Sequence, residues 1–88
     1  MKSHLTKSNL YSTVDLGIAV YLFTIGHELK ETSLQGPKRL IFHFKKQRDT
    51  ESKVTSFLNE TGEASAKKLF ENYRALRALA FTQTGNLR

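Results

Sequence analysis

Lys38, Arg39, Lys45, Lys46 and Arg48 place five cations within eleven positions, with His43 among them. Cations at that density neutralise phosphates, and on a hairpin they hold a nucleic-acid backbone without reading its bases. The competing use of such a run is to keep an exposed hairpin soluble and its edges unpaired. Arg77 is the other candidate, falling on a helical wheel between Phe70 and Tyr73 at the border of an apolar arc. From there a guanidinium covers aromatic rings or pairs with a carboxylate such as Glu60 or Asp15, so a structural role ranks ahead of an anion-binding one.

Groupings that would support catalysis fail on spacing. His27-Glu28 shares letters with zinc-protease helices, but position 31 is Glu and the second His that HExxH requires is missing. His4 and His43 complete no three-ligand set. No serine sits in a GxSxG turn, and Gly17 and Gly26 are placed for helix packing and a helix stop rather than for a phosphate loop. The chain has no cysteine, which removes thiolate nucleophiles and thiolate metal sites. The expectation is a protein that is not an enzyme, with no catalytic residue, metal, cofactor or small-molecule substrate.

The elements that must position the basic residues follow from periodicity. Ser12 or Thr13 reads as an N-cap, with Asp15 completing a capping box, for a helix over about Val14 to Ile25 that is apolar on nearly every side. Gly26 is its left-handed stop. Residues 27 to 34 form a weak strand, the Gln35-Gly36-Pro37-Lys38 stretch a turn, and residues 39 to 46 the clearest strand in the chain. Alternation there sends Leu40, Phe42 and Phe44 to the core and Arg39, Ile41, His43 and Lys45 outward. Asp49 opens a second helix carrying Val54, Phe57 and Leu58, closed by Gly62, and a third runs from Ala64 or Ser65 to about Thr82. The predicted core is Leu16, Val20, Phe23, Leu29, Leu40, Phe42, Phe44, Phe57, Leu58, Leu69, Tyr73 and Leu76. Gly17, inside the first helix, is expected to admit another backbone or an aromatic ring.

The fold class is therefore α+β, in the order helix, β-hairpin, helix, helix, with the option of a short N-terminal strand. Residues 1–11 read as a flexible arm or short strand, 12–83 as a single domain, and 84–88 as a disordered tail. Fourteen Lys and Arg against eight Asp and Glu give a net charge of +6 over 88 residues, a field that attracts nucleic acid or other anionic partners. No apolar run reaches the roughly 20 residues of a membrane span, and the polar N-terminus is unlike a signal peptide. The expected compartment is the cytoplasm and no membrane partner is expected. Nucleic acid is the leading expected partner; a protein partner or a homodimer, through an open hairpin edge or leftover apolar surface, is the alternative.

Ser12-Thr13-x-Asp15-Leu16-x-x-Ala19-x-Tyr21-Leu22, Gly26-His27-Glu28-Leu29, Phe42-x-Phe44, Phe57-Leu58-Asn59 and Tyr73-Arg74-Ala75-Leu76-Arg77-Ala78-Leu79 together resemble a family of small bacterial and phage proteins known only as a domain of unknown function. The resemblance spans almost the whole chain and implies a small α+β domain. It supplies no activity, ligand or catalytic residue. Occurrence of such proteins among phage and mobile-element genes favours nucleic-acid traffic by association rather than by mechanism.

Overall fold

Leu40, Phe42 and Phe44 are buried while Ile41 and His43, between them, are only half-buried, and this alternation makes their strand the centre of the fold. The computed structural model describes residues 9–85. In chain order its elements are β1 (Leu10–Thr13), α1 (Leu16–Thr24), β2 (Leu29–Leu34), β3 (Leu40–Lys45), α2 (Thr50–Leu58) and α3 (Ala66–Thr84). The sheet order is β1-β3-β2, and both outer strands run antiparallel to β3. The domain is thus α+β, with the short N-terminal strand added to the hairpin. That strand lies at residues 10–13, and residues 1–8 of the expected arm fall outside the described residues.

Because β1 and β2 flank β3, the chain between them has to cross the sheet, and α1 is that crossing. Ile18 to Leu22 are buried one after another, since α1 has the sheet on one side and α3 along another. A helix with that environment needs apolar residues around most of its circumference, as its sequence provides. Extents of 40 × 36 × 19 Å describe a two-layer slab. Its helices cover one face of the sheet; among the described residues nothing covers the other.

The start of α1 differs from expectation. Ser12 and Thr13 belong to β1, and the N-cap is Asp15, whose Oδ1 accepts the Ile18 N–H at 2.9 Å. Thr13 Oγ1 in turn accepts the Asp15 N–H at 3.0 Å. The helix ends at Thr24, and Gly26 with φ 107° provides the left-handed turn. Gly17 meets an aromatic ring as expected: a Cβ there would lie 3.3 Å from Phe57 Cζ.

Two further boundaries shift. The second helix is not closed by Gly62. Glu60 takes the left-handed position with φ 63°, while the Thr61 N–H bonds to Ser56 O at 2.9 Å and the Glu60 N–H to Phe57 O at 3.1 Å, a Schellman ending. Gly62 serves close approach instead, for a Cβ there would lie 2.6 Å from the Tyr21 hydroxyl. The third helix continues through Thr84, with Gly85 as its left-handed cap, so the expected tail gives up two residues; 86–88 fall outside the described residues.

The predicted core is corrected at three positions. Leu58 is 62 % exposed, Tyr73 43 % and Phe23 36 %. The rotation of α3 accounts for Tyr73: Asn72 Nδ2 donates to Thr24 Oγ1 at 3.0 Å, and Thr24 donates on to Val20 O at 2.7 Å. This tether presents Leu76, Leu79 and Ala80 to the core and leaves Phe70 and Tyr73 at the margin. Leu58, at the last turn of α2, extends past the surface that α1 offers. Phe23 faces the side of α1 that neither sheet nor α3 covers.

Candidate functional site

The uncovered face of the sheet carries polar side chains from all three strands, with the basic residues at the two ends of β3. Pairing places Ser12 opposite His43 on one side of β3 and Glu31 opposite it on the other. The half-buried imidazole is held at both nitrogens: Ser12 Oγ lies 2.6 Å from Nδ1, and Ser33 Oγ lies 2.7 Å from Nε2. A serine hydroxyl both donates and accepts, so each of the two can meet its ring nitrogen whichever tautomer is present. The result is a polar row across all three strands, with hydroxyls at its ends.

Cations bracket that row. Arg39 precedes β3 and Lys45 ends it, roughly 20 Å apart at the rise of an extended strand, with Lys38 beside the first and Lys46 and Arg48 beyond the second. All five are exposed. Lys46 Nζ is 3.3 Å from Glu51 Oε2, whereas among the described residues Lys38, Arg39, Lys45 and Arg48 make no ion pair. The fold therefore divides the sequence-predicted cluster into two groups at opposite ends of β3, with His43 between them. Lys30 lies on β2, 3.4 Å from Glu28. Hydroxyls, imidazole and unpaired cations are the side chains that contact phosphate and sugar. Glu31 is the one carboxylate directly opposite His43, and it works against an anionic ligand.

Ser12 and Ser33 are the residues that sequence reasoning missed. The alternation of β3 pointed His43 outward, but the partners of its ring depend on strand register, which no local pattern in β1 or β2 specifies. His27 was missed as well. It is 4 % exposed, and its Nε2 lies 2.9 Å from Oγ1 of fully buried Thr50, which also accepts the Gln47 N–H at 2.7 Å. Its Nδ1 has no partner among the described residues. Burial lowers the His27 pKa; Asp49 acts to raise it and Lys53 to lower it. This pair ties the exit of α1 to the start of α2 and does not reach the open face.

Arg77 is also placed. Its guanidinium lies 4.8 Å from the centroid of Phe81, and Arg74 lies 5.2 Å from that of Phe70. The expected covering of a ring is present, on Phe81. Neither Glu60 nor Asp15 pairs with Arg77 among the described residues. Among those residues no group of three or more His, Asp or Glu side chains could hold a metal ion, and no helix is long and apolar enough to cross a membrane.

The profile of DUF5659, a domain of unknown function, matches residues 8–82. The chain belongs to this family. The DUF5659 match takes in all six elements up to the last turn of α3, and with them the open sheet face, the His27–Thr50 pair and Arg77. No curated protein and no solved structure matches the chain.

Proposed function

We propose that this DUF5659 protein is a noncatalytic accessory module that contacts nucleic acid weakly and without sequence preference through the open face of its sheet. One observation carries the reading: among the described residues, the face without a helix layer bears the Ser12–His43–Ser33 row, with cations that make no ion pair at both ends of the strand that carries the row. Lys38, Arg39, Lys45 and Arg48 take phosphates at the two ends, and the hydroxyls offer hydrogen bonds between them. Lys46, paired with Glu51, contributes less. Base stacking has no part, because Phe42 and Phe44 are buried in the core. Phosphate-dominated contact of this size gives dissociation constants of roughly 10⁻⁴ to 10⁻⁶ M near physiological salt. We take the protein to act in the cytoplasm, a reading that rests on its cysteine-free composition.

Charge reversal tests the site. Arg39→Glu combined with Lys45→Glu changes two exposed side chains and leaves the core untouched, so the fold should be retained by circular dichroism. Fluorescence anisotropy with short single- and double-stranded oligonucleotides should then show binding weakened by at least about tenfold on every sequence alike. Unchanged affinity in the folded variant would remove the sheet face from consideration.

A further inference from the structure

A second surface lies on the helical side of the slab. Tyr21 and Phe57 stack with ring centroids 5.2 Å apart and form the floor of an open groove of about 720 Å³, rimmed by Leu58, Glu60 and Glu63. Phe57 and Leu69 also line an adjoining hollow of about 320 Å³, where Phe70 and Tyr73 of α3 face Gly17 of α1. The two form one apolar tract, which holds three large hydrophobic side chains that the fold leaves exposed: Leu58, Phe70 at 63 % and Tyr73. A soluble domain with a thin core keeps such a tract exposed when something is to cover it.

The charges around the tract are segregated. One bank is acidic, with Glu60 and Glu63 in the connection between α2 and α3. The other is basic, with Arg74 and Arg77 held on α3 by the Phe70 and Phe81 rings. An occupant suited to both banks has an apolar helical stripe with arginines beside it and carboxylates on its far side. Phe70, Tyr73, Arg74 and Arg77 stand at i, i+3, i+4 and i+7 on α3, the spacing by which a helix docks into a groove, and they are aromatic and arginine, the residue types that dominate interface energies. This chain carries both halves of the contact. A two-fold rotation lays the acidic bank of one copy on the basic bank of the other, twice over.

We infer that the groove formed by α1, the α2–α3 connection and α3 is an isologous dimer interface, occupied by α3 of a second copy. The contact needs no nucleic acid and leaves the sheet face of each protomer open.

Sedimentation equilibrium of the full chain, over micromolar to sub-millimolar concentrations and without nucleic acid, should show reversible dimerisation. Phe70→Glu alters a side chain that is mostly exposed, so the monomer should stay folded, yet dimerisation should weaken by at least about 30-fold. The charge arrangement has its own readout. A variant with Glu60→Arg and Glu63→Arg, and another with Arg74→Glu and Arg77→Glu, should each be monomeric alone and form a one-to-one dimer when mixed, because acid then faces base at both contacts. A wild-type chain that stays monomeric throughout, or a dimer indifferent to Phe70→Glu, would overturn the inference. So would a mixture of the two charge variants that fails to associate.

Discussion

At the scale of single residues, the two histidines of the described chain do opposite things with the same ring. His43 is satisfied at both nitrogens by serines and stays within reach of solvent. His27 is enclosed, bonded to Thr50 at one nitrogen and, among the described residues, without a partner at the other. Burial lowers its pKa below the ordinary histidine value of about 6.5, so the folded protein resists protonating it while the unfolded chain does not. Wherever the unfolded state binds more protons, stability rises with pH. The contribution of His27 is therefore complete above about pH 6.5 and is lost as pH falls below that value. Urea unfolding at about pH 7.5 and about pH 5.5 should show the midpoint falling with pH in the wild type. A His27→Gln variant, less stable at the higher pH, should lose less on acidification. An equal drop in both proteins would assign the acid sensitivity to other groups.

At the scale of elements, the ending of α2 shows where a local pattern misleads. A glycine after a helix reads as its stop, as Gly62 does; the left-handed position belongs to Glu60, and Gly62 makes room for the Tyr21 hydroxyl. The two sites should respond oppositely. Glu60→Gly relieves a left-handed strain of roughly 1–2 kcal/mol against part of that in unfolded-state entropy, for a net gain of about 0.5–1 kcal/mol. Gly62→Ala forces its Cβ against Tyr21 and should cost about 1–3 kcal/mol. Denaturant midpoints of the two variants test the assignment, and a stabilising Gly62→Ala would contradict it.

The same contrast marks what the sequence disclosed. The period-two run of β3, the apolar circumference of α1 and the Asp49 that opens α2 are local signals, and each of these elements lies at nearly the expected place. What depends on partners distant in sequence stayed hidden. The rotation of α3 is set by Asn72 and Thr24, 48 residues apart, so its apolar arc gave no warning that Tyr73 would be exposed. Ser12 reaches His43 across 31 residues through strand register. Its shift from helix cap to strand followed from β1, which has only four residues and a weak pattern. The basic cluster was visible as a run of charges; its division into two ends around His43 needed the strand geometry.

At the scale of the whole molecule, charge and surface are divided between the two sides of a slab. Residues 28–48 carry six Lys or Arg against Glu28 and Glu31, and they build the hairpin; residues 49–85 carry five Lys or Arg against five Asp or Glu, with an acidic segment at 49–65 that borders the groove and every cation but Lys53 on α3. Positive charge thus gathers on the sheet side, where an anionic polymer finds cations and hydroxyls, while the acidic segment lies beside exposed apolar surface on the helical side. A dimer formed through the helical side would present two such sheet faces, and its avidity on a long nucleic acid would exceed that of either face alone.

The most direct test of the sheet-face reading is the salt dependence of binding to a short duplex that holds one protomer. The four cations without an ion pair among the described residues, Lys38, Arg39, Lys45 and Arg48, predict a slope of log K against log salt near −3.6, or roughly a 150-fold loss of affinity between about 50 and 200 mM salt. A slope of about that size, reduced by close to two units in the Arg39→Glu, Lys45→Glu variant, is the expected result. No binding at the lower salt, or a slope indifferent to those two substitutions, would contradict it.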